Sequence, residues 1–375
     1  MSNNASFARA ATYRAPRHIS IEQFPLPTLT SDDLLLEVSL CGVDGSELAM
    51  WRGAFDFVNE RAPVIFGDEI VGRVAEIGEA AAARRGLRVG DRVALEARWP
   101  CAEGCHPCRR GQYYLCERRG LKNGYGTLSA SQPPHLWGGY ATHTFVPRDA
   151  LVYKIPNDLS DRTALVAASP FANGLRWSAA TDTSPDDHIA VIGPGPQGLC
   201  TALAAIVTGR RVTLVGLAED RERLDFAATF GAATHVISRD ASPGAIVEAV
   251  DGIVDRHGEV DAVVEVSGSP GGKTLAMNLV RVLGTVVSAA SPNPSIQPWD
   301  WRLLMWKELT VKGRLSHPHT VEIAFERARE LLARGIDLGE WITHVFPLHE
   351  VTAAIQTAAY QTDERPIKVA LDPRM

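Results

Sequence analysis

No apolar stretch of this 375-residue chain approaches the roughly 20 residues that cross a bilayer, so no segment reads as a transmembrane helix. Basic runs are also missing, and a formal charge of -6 carries none of the electrostatic footprint of a nucleic-acid binder. The N-terminus has no acid before Glu22 and carries Arg9, Arg14 and Arg17, which raises the question of a transit peptide. It has no apolar signal core, however, and Ala10 to Phe24 reads better as two short strands around Ala15-Pro16. With no export signal, reduced thiols and a cytoplasmic location are expected. Internal repeats and low-complexity linkers are absent too. What remains is an ordinary globular composition, 45% hydrophobic and 22% charged, long enough for two domains with separate cores.

Cysteine is scarce, yet four of the six crowd into one loop, Cys101-x3-Cys105-x2-Cys108-x7-Cys116. Thiolates at this spacing have one usual explanation, a tetrahedral zinc. A disulfide framework belongs to small secreted chains, and four unrelated exposed thiols would be reactive. Four thiolates fill the zinc shell and leave no position for substrate, so the expected metal is structural. His106, inside the loop, could replace one thiolate, but the cysteines already complete the shell.

The chain changes character along its length. Up to about residue 155 it shows short apolar runs broken by glycine and proline, among them Leu34 to Val38, Ile70 to Val74 and Arg92 to Leu95. These predict a β-rich domain with irregular loops. From about residue 160 strands alternate with helices: His188 to Gly193, Gln197 to Thr208, Arg211 to Val215, Asp220 to Phe230, and on through Val260 to Val266 and Gly284 to Ala289. That alternation predicts a parallel, doubly wound α/β sheet. After about residue 310 shorter elements resume and end in Ile367 to Leu371.

At the first strand-to-helix junction of the α/β region lies Gly193-Pro194-Gly195-Pro196-Gln197-Gly198, a G-x-G-x-x-G turn. The first glycine permits the tight turn, the second lets a pyrophosphate approach the backbone, and the third allows close helix packing. The helix N-terminus then offers unpaired N–H groups to the phosphates. A second strand about twenty residues on completes the dinucleotide-binding context. The choice between NAD and NADP stays open. The second strand ends in Val215-Gly216-Leu217 without an acid; Asp220 could reach the ribose hydroxyls, or Arg221 and Arg223 could hold a 2′-phosphate. Those charges could equally be the solvated first turn of a helix.

With the cysteine loop ahead of the glycine turn, the chain resembles the zinc-containing medium-chain alcohol dehydrogenases, the group that includes sorbitol and threonine dehydrogenases. The resemblance rests also on Gly42-Val43-Asp44-Gly45-Ser46-Glu47, Gly67-Asp68-Glu69 followed by Gly72, Gly90-Asp91-Arg92-Val93, Gly138-Gly139-Tyr140-Ala141, Ser169-Pro170-Phe171 and Phe346-Pro347-Leu348. It implies a GroES-like catalytic domain over residues 1–158, a Rossmann domain over 159–309, and a segment 310–375 that completes the catalytic domain. It also implies a small-molecule substrate and a homodimer or homotetramer.

The catalytic metal positions depart from the family pattern. Where relatives read G-[IV]-C-x-[ST]-D and G-H-E, with Cys and His on a catalytic zinc, this chain has Asp44 and Asp68 and keeps Glu69. Cys41 is out of register, a further family ligand falls near Ser169, and a frequent histidine is Ala49. A thiolate and a carboxylate neutralise a zinc ion, whereas three carboxylates overcompensate it and suit harder cations. Without a cation, at least one of three neighbouring carboxyls should keep its proton near neutral pH and could serve as a catalytic acid. Alternatively, Asp44 and Asp68 are solvated or paired with Arg52 or Arg73. Ser46 occupies the family's proton-relay position, and His135, His143, Trp51, Trp137, Trp299 and Trp301 are weaker pocket candidates.

The expected activity is an NAD(P)-dependent interconversion of an alcohol and its carbonyl compound. Reduction of an activated C=C or C=N bond, a redox-neutral use of NAD, and a non-enzymatic nucleotide sensor are the alternatives.

Overall fold

The computed structural model describes residues 7–118, 123–290 and 299–375. The chain divides into two compact units: Met1–Ser169 together with Val321–Met375, and Pro170–Thr320 between them.

The first unit is built on β-sheet. Its larger sheet runs in the order Ile342–Pro347, Lys368–Asp372, Leu34–Val43, Ile70–Ile77, Arg92–Leu95, Val152–Lys154, with His143–Val146 also paired to Leu34–Val43. The long strand Leu34–Val43 is buried at every position but Glu37, so it is the spine of the unit. A smaller sheet orders His18–Pro25, Phe7–Ala15 and Val64–Ile65. The first two form one antiparallel hairpin, longer than the pair of short strands expected there. Both sheets share a core that includes Leu34, Leu36, Val38, Phe66, Tyr140 and Leu371.

The second unit is a six-stranded parallel sheet in the order Ala233–Ile237, Arg211–Leu217, His188–Ile192, Val260–Glu265, Val280–Ser288, Thr310–Gly313. His188–Ile192 is buried at all five positions, as a central strand covered on both faces must be. Strand order reverses between it and Val260–Glu265, and such a reversal opens a crevice at the carboxyl ends of the strands.

The unit boundaries fall at 169/170 and 320/321, not at 158/159 and 309/310 as expected. Two local facts explain the shift. The helix Asp161–Val166 packs on Leu34–Val43 and Ile70–Ile77, which ties it to the first unit. The strand Thr310–Gly313 pairs with Val280–Ser288, which ties it to the second. Among the described residues, no helix is long and apolar enough to cross a membrane.

Candidate active site

The cysteine loop folds around a point. Cys101, Cys105, Cys108 and Cys116 bring their sulfurs within 4.8 Å of one another, and none of the four forms a disulfide. Four converging, largely buried thiols are the donor set a structural zinc takes. His106 is exposed and outside that group. The loop is pinned by Tyr113, whose hydroxyl donates to Glu96 Oε1 at 2.6 Å. Glu96 is buried and accepts a second phenol, Tyr153, at 2.8 Å.

The glycine turn has the shape that the spacing requires. Gly193 sits at φ 107°, a conformation open to glycine and costly for other residues. At Gly198 a side chain would begin 1.8 Å from the Gly193 carbonyl oxygen, so the helix can approach the strand only without one. The helix Pro196–Val207 starts at Gly195 with no side chain capping its N–H groups, which leaves them for phosphate oxygens. A cavity of about 510 Å³ opens beside the turn, lined in part by Pro194, Leu217, Asp220, Arg239, Asp240 and Ser267. Asp220 Oδ2 accepts the Leu217 N–H at 3.0 Å. Arg221 is exposed and does not line the cavity, whereas the buried Arg223 guanidinium lies 4.0 Å from where a Gly195 side chain would begin. These residues fit a dinucleotide.

The acidic residues meet at one end of the long strand. Asp44 stands between Leu34–Val43 and the helix Gly45–Trp51, and it caps that helix. Its Oδ1 accepts the Ser46 N–H at 2.7 Å, the Ser46 hydroxyl at 2.6 Å and the Glu47 N–H at 3.1 Å. Glu47 returns the bond by accepting the Asp44 N–H at 2.7 Å, a reciprocal capping box that leaves Glu47 fully buried. Antiparallel pairing of Cys41 with Ile70 carries Gly67-Asp68-Glu69 alongside, and the Gly42 N–H donates to the Glu69 carbonyl at 3.0 Å. A side chain on Gly42 would begin 1.9 Å from Glu69 Oε2, so glycine there is what admits the carboxylate.

Lys368, first residue of the last strand, completes the cluster. It is 2% exposed, and its ammonium donates to Glu69 Oε2 at 2.5 Å. The Ser169 hydroxyl donates to Glu69 Oε1 at 3.0 Å. Burial pulls Lys368 down, but the Glu69, Asp44 and Glu47 carboxyls outweigh it and hold the ammonium above its usual range. Burial raises Glu69, with Lys368 opposing. Burial, then the Asp44 and Asp68 carboxyls, push Glu47 well above the carboxylate range. Asp68, half-buried, is pushed up to about 8 by burial and by Asp44, against the pull of Arg98. The cations that act most on Asp68 are thus Arg98 and, more weakly, Lys368, rather than Arg52 or Arg73.

The carboxyls perturb one another without converging as ligands. Among the described residues, the four cysteines are the only group of three or more donors within 4.8 Å. One Asp44 oxygen is committed to the helix cap, and both Glu69 oxygens are held by Lys368 and Ser169. These residues do not fit a divalent ion.

His135 shares a 2.8 Å hydrogen bond with the Ala130 carbonyl and stacks on Phe24. His143 is half-buried, and burial lowers it. Trp51 is core, and Trp137 packs edge-on against Phe145. Glu47, Arg98 and Lys368 were missed in the sequence; only Glu47 had a local signal, the D-x-x-E capping pattern.

Comparison with known proteins follows the same lines. The model of the alcohol dehydrogenase GroES-like domain matches residues 30–157, and that of the zinc-binding dehydrogenase family matches 196–333. The chain is 35% identical over 347 residues to a probable alcohol dehydrogenase of Mycobacterium tuberculosis, covering 89% of each. It is 29% identical over 357 residues to a sorbitol dehydrogenase of Bacillus subtilis, covering 93% of each. Among solved structures it is similar to the alcohol dehydrogenase TADH from Thermus sp. ATN1, with a TM-score of 0.79 and 27% identity over 97% of this chain and 99% of that one.

Proposed function

We propose a site chemistry from the premise that this chain belongs to the zinc-type medium-chain dehydrogenase/reductase family. Its relatives are alcohol and polyol dehydrogenases, and the chain is an alcohol dehydrogenase-like oxidoreductase of small molecules that uses NAD or NADP. When bound, the nicotinamide cofactor accepts or delivers a hydride at the substrate carbon. The finer reading is that Asp68 manages the proton on the substrate oxygen, with no catalytic metal.

What supports this most is Asp68 itself, a half-buried carboxyl held near 8 between Asp44 and Arg98. A carboxylic acid still protonated at neutral pH donates its hydrogen to a carbonyl oxygen as that oxygen gains charge. In the reverse direction the ionised form accepts the hydroxyl proton. Ser46, exposed and donating to the Asp44 carboxyl that acts on Asp68, is the proposed relay of that proton to solvent. Lys368 and Ser169 occupy the Glu69 oxygens and keep that carboxylate from competing for the proton. Gly193, Gly195 and Gly198 seat the pyrophosphate, with Asp220 at the ribose and Arg223 behind the turn. The cysteine loop would hold zinc to order itself, away from the chemistry.

The test is a coupled NAD(P)H assay over alcohols and their carbonyl partners. Asp68→Asn should cut kcat by roughly 10²-fold or more while cofactor binding is unchanged. Unaltered kcat would remove Asp68 from the mechanism. A second reading is favoured by the same donor set: a site that fits no Lewis acid also suits reduction of an activated C=C or C=N bond. Turnover of such substrates, with alcohols inert, would select it.

The dimer or tetramer is supported by an apolar patch on the second unit. Trp301, Met305 and Trp306 are each more than 60% exposed, and the exposed Leu283 is hydrogen-bonded through its backbone to Lys307 at the end of their helix. A monomer by light scattering would refute that assembly.

A further inference from the structure

The first unit carries a small cavity that the chemistry above does not use. Its volume is about 300 Å³, at the lower end for a ligand pocket, and its walls include Arg61, Arg118, Asn123, Leu128, Ser129 and Gln132. The lining is one-sided in charge: two guanidiniums, three neutral polar side chains, one leucine, and no carboxylate among the described residues. The stretches outside the described residues contain no Asp or Glu in sequence. Two like charges around one small space repel, and an oxyanion between them converts that repulsion into charge-assisted hydrogen bonds.

One side of the wall is fixed in advance. The Arg61 guanidinium donates to the Thr127 carbonyl at 3.3 Å and lies 5.6 Å over the Phe57 ring. Ser129 donates to the Pro63 carbonyl at 3.3 Å, and its backbone bridges to Val64. An arginine held as Arg61 is loses less freedom when it closes on an anion.

The segment forming one wall also runs beside the backbone of the candidate acid. A side chain on Gly126 would begin 3.3 Å from the Gly67 nitrogen and 3.6 Å from that of Asp68. Asn123 to Ser129 therefore borders the cavity on one side and the backbone that presents Asp68 on the other.

We propose that this cavity is a binding site for a small oxyanion of the phosphate or carboxylate type. Two sources share that chemistry: the anionic end of the substrate, or a free anion that acts through the shared segment. Binding itself does not depend on the role given to Asp68.

The test titrates inorganic phosphate into the zinc-loaded full chain, with chloride at equal ionic strength as the control, and follows calorimetry and thermal shift. The wild type should bind phosphate saturably. Arg118→Ala, at an exposed position, and Arg61→Gln should each weaken it roughly tenfold or more, with zinc content and NADH binding unchanged. No saturable binding above the chloride control, or equal binding by wild type and Arg118→Ala, overturns the proposal. Initial rates then separate the sources: competition of phosphate with substrate assigns the anion to the substrate, and non-competitive behaviour assigns it to a free effector. Failure of the Asp68 reading would appear only in the rates of Asp68→Asn, never in these isotherms.

Discussion

Lys368 and Glu69 form a 2.5 Å ion pair across 299 positions of sequence, with both side chains at most 2% exposed. Breaking such a pair leaves a charge buried without its partner, at a cost of about 3–5 kcal/mol. Lys368→Met should therefore lower the urea midpoint by a corresponding amount. The double variant Lys368→Met with Glu69→Gln should lose less than the two single losses combined, because neither charge is then stranded. Strict additivity in that cycle would mean the pair is not coupled.

The raised Asp68 carboxyl sets a pH dependence. Its folded pKa, about 8, lies above the ordinary value of 3.8, so the folded chain holds an extra proton between those limits. Stability from this group is therefore greatest at low pH and falls as pH rises through that window. For catalysis the signs are opposite in the two directions. Carbonyl reduction, which needs the protonated acid, should decline above about pH 8, and alcohol oxidation should rise through the same region. Profiles of kcat/KM in both directions check this, and Asp68→Asn should flatten both.

Asp44 has a structural duty that can be separated from any chemical one. Its capping bonds to Ser46 and Glu47 predict that Asp44→Ala costs about 0.5–2 kcal/mol. Asp44→Ser keeps a capping oxygen while removing the carboxyl. Recovery of the melting temperature in Asp44→Ser, with the Asp68-linked pH limb displaced downward, would identify Asp44 as both cap and electrostatic neighbour. An unmoved limb would leave it a cap alone.

What the sequence made legible was what local spacing encodes. The glycine turn and the cysteine loop each lie within sixteen residues, and both fold as their spacing requires. The alternation from His188 onward likewise produced the parallel sheet. Lys368 was invisible because only the pairing of the last strand with Leu34–Val43 delivers it to Glu69. Arg98 is similar, a basic residue whose meaning comes from folding beside Asp68. Thr310–Gly313, four residues at a sheet edge, had too little pattern to reveal which unit it joins.

Metal content should separate the two candidate metal positions. Four convergent thiols predict one zinc per chain by elemental analysis, and Cys108→Ser should reduce that occupancy. Strong chelation should loosen the cysteine loop first, read as new proteolytic cuts between Cys101 and Cys116, because metal binding there is folding energy. The dinucleotide turn lies in the other unit, so NADH binding should persist. A second zinc that disappears on Asp68→Asn would contradict the metal-free reading of the carboxyl cluster.

The lining of the cavity beside the glycine turn predicts a preference for NAD over NADP. Its charged lining consists of Asp220, Asp240 and Arg239, and Arg239 is ion-paired with Glu219. With that cation compensated, a 2′-phosphate would meet two carboxylates, whereas ribose hydroxyls can donate to Asp220. Arg221 and Arg223 are both outside the lining, and the Arg223 guanidinium lies by Gly195. NADH should accordingly bind more tightly than NADPH, by roughly tenfold for a difference of one charge-assisted hydrogen bond. Asp220→Ser should narrow the gap, and Asp220→Ser combined with Glu219→Gln should narrow it further by releasing Arg239. Fluorescence titration of both reduced cofactors measures it; tighter NADPH binding in the wild type would show that Arg239 leaves Glu219 for the phosphate.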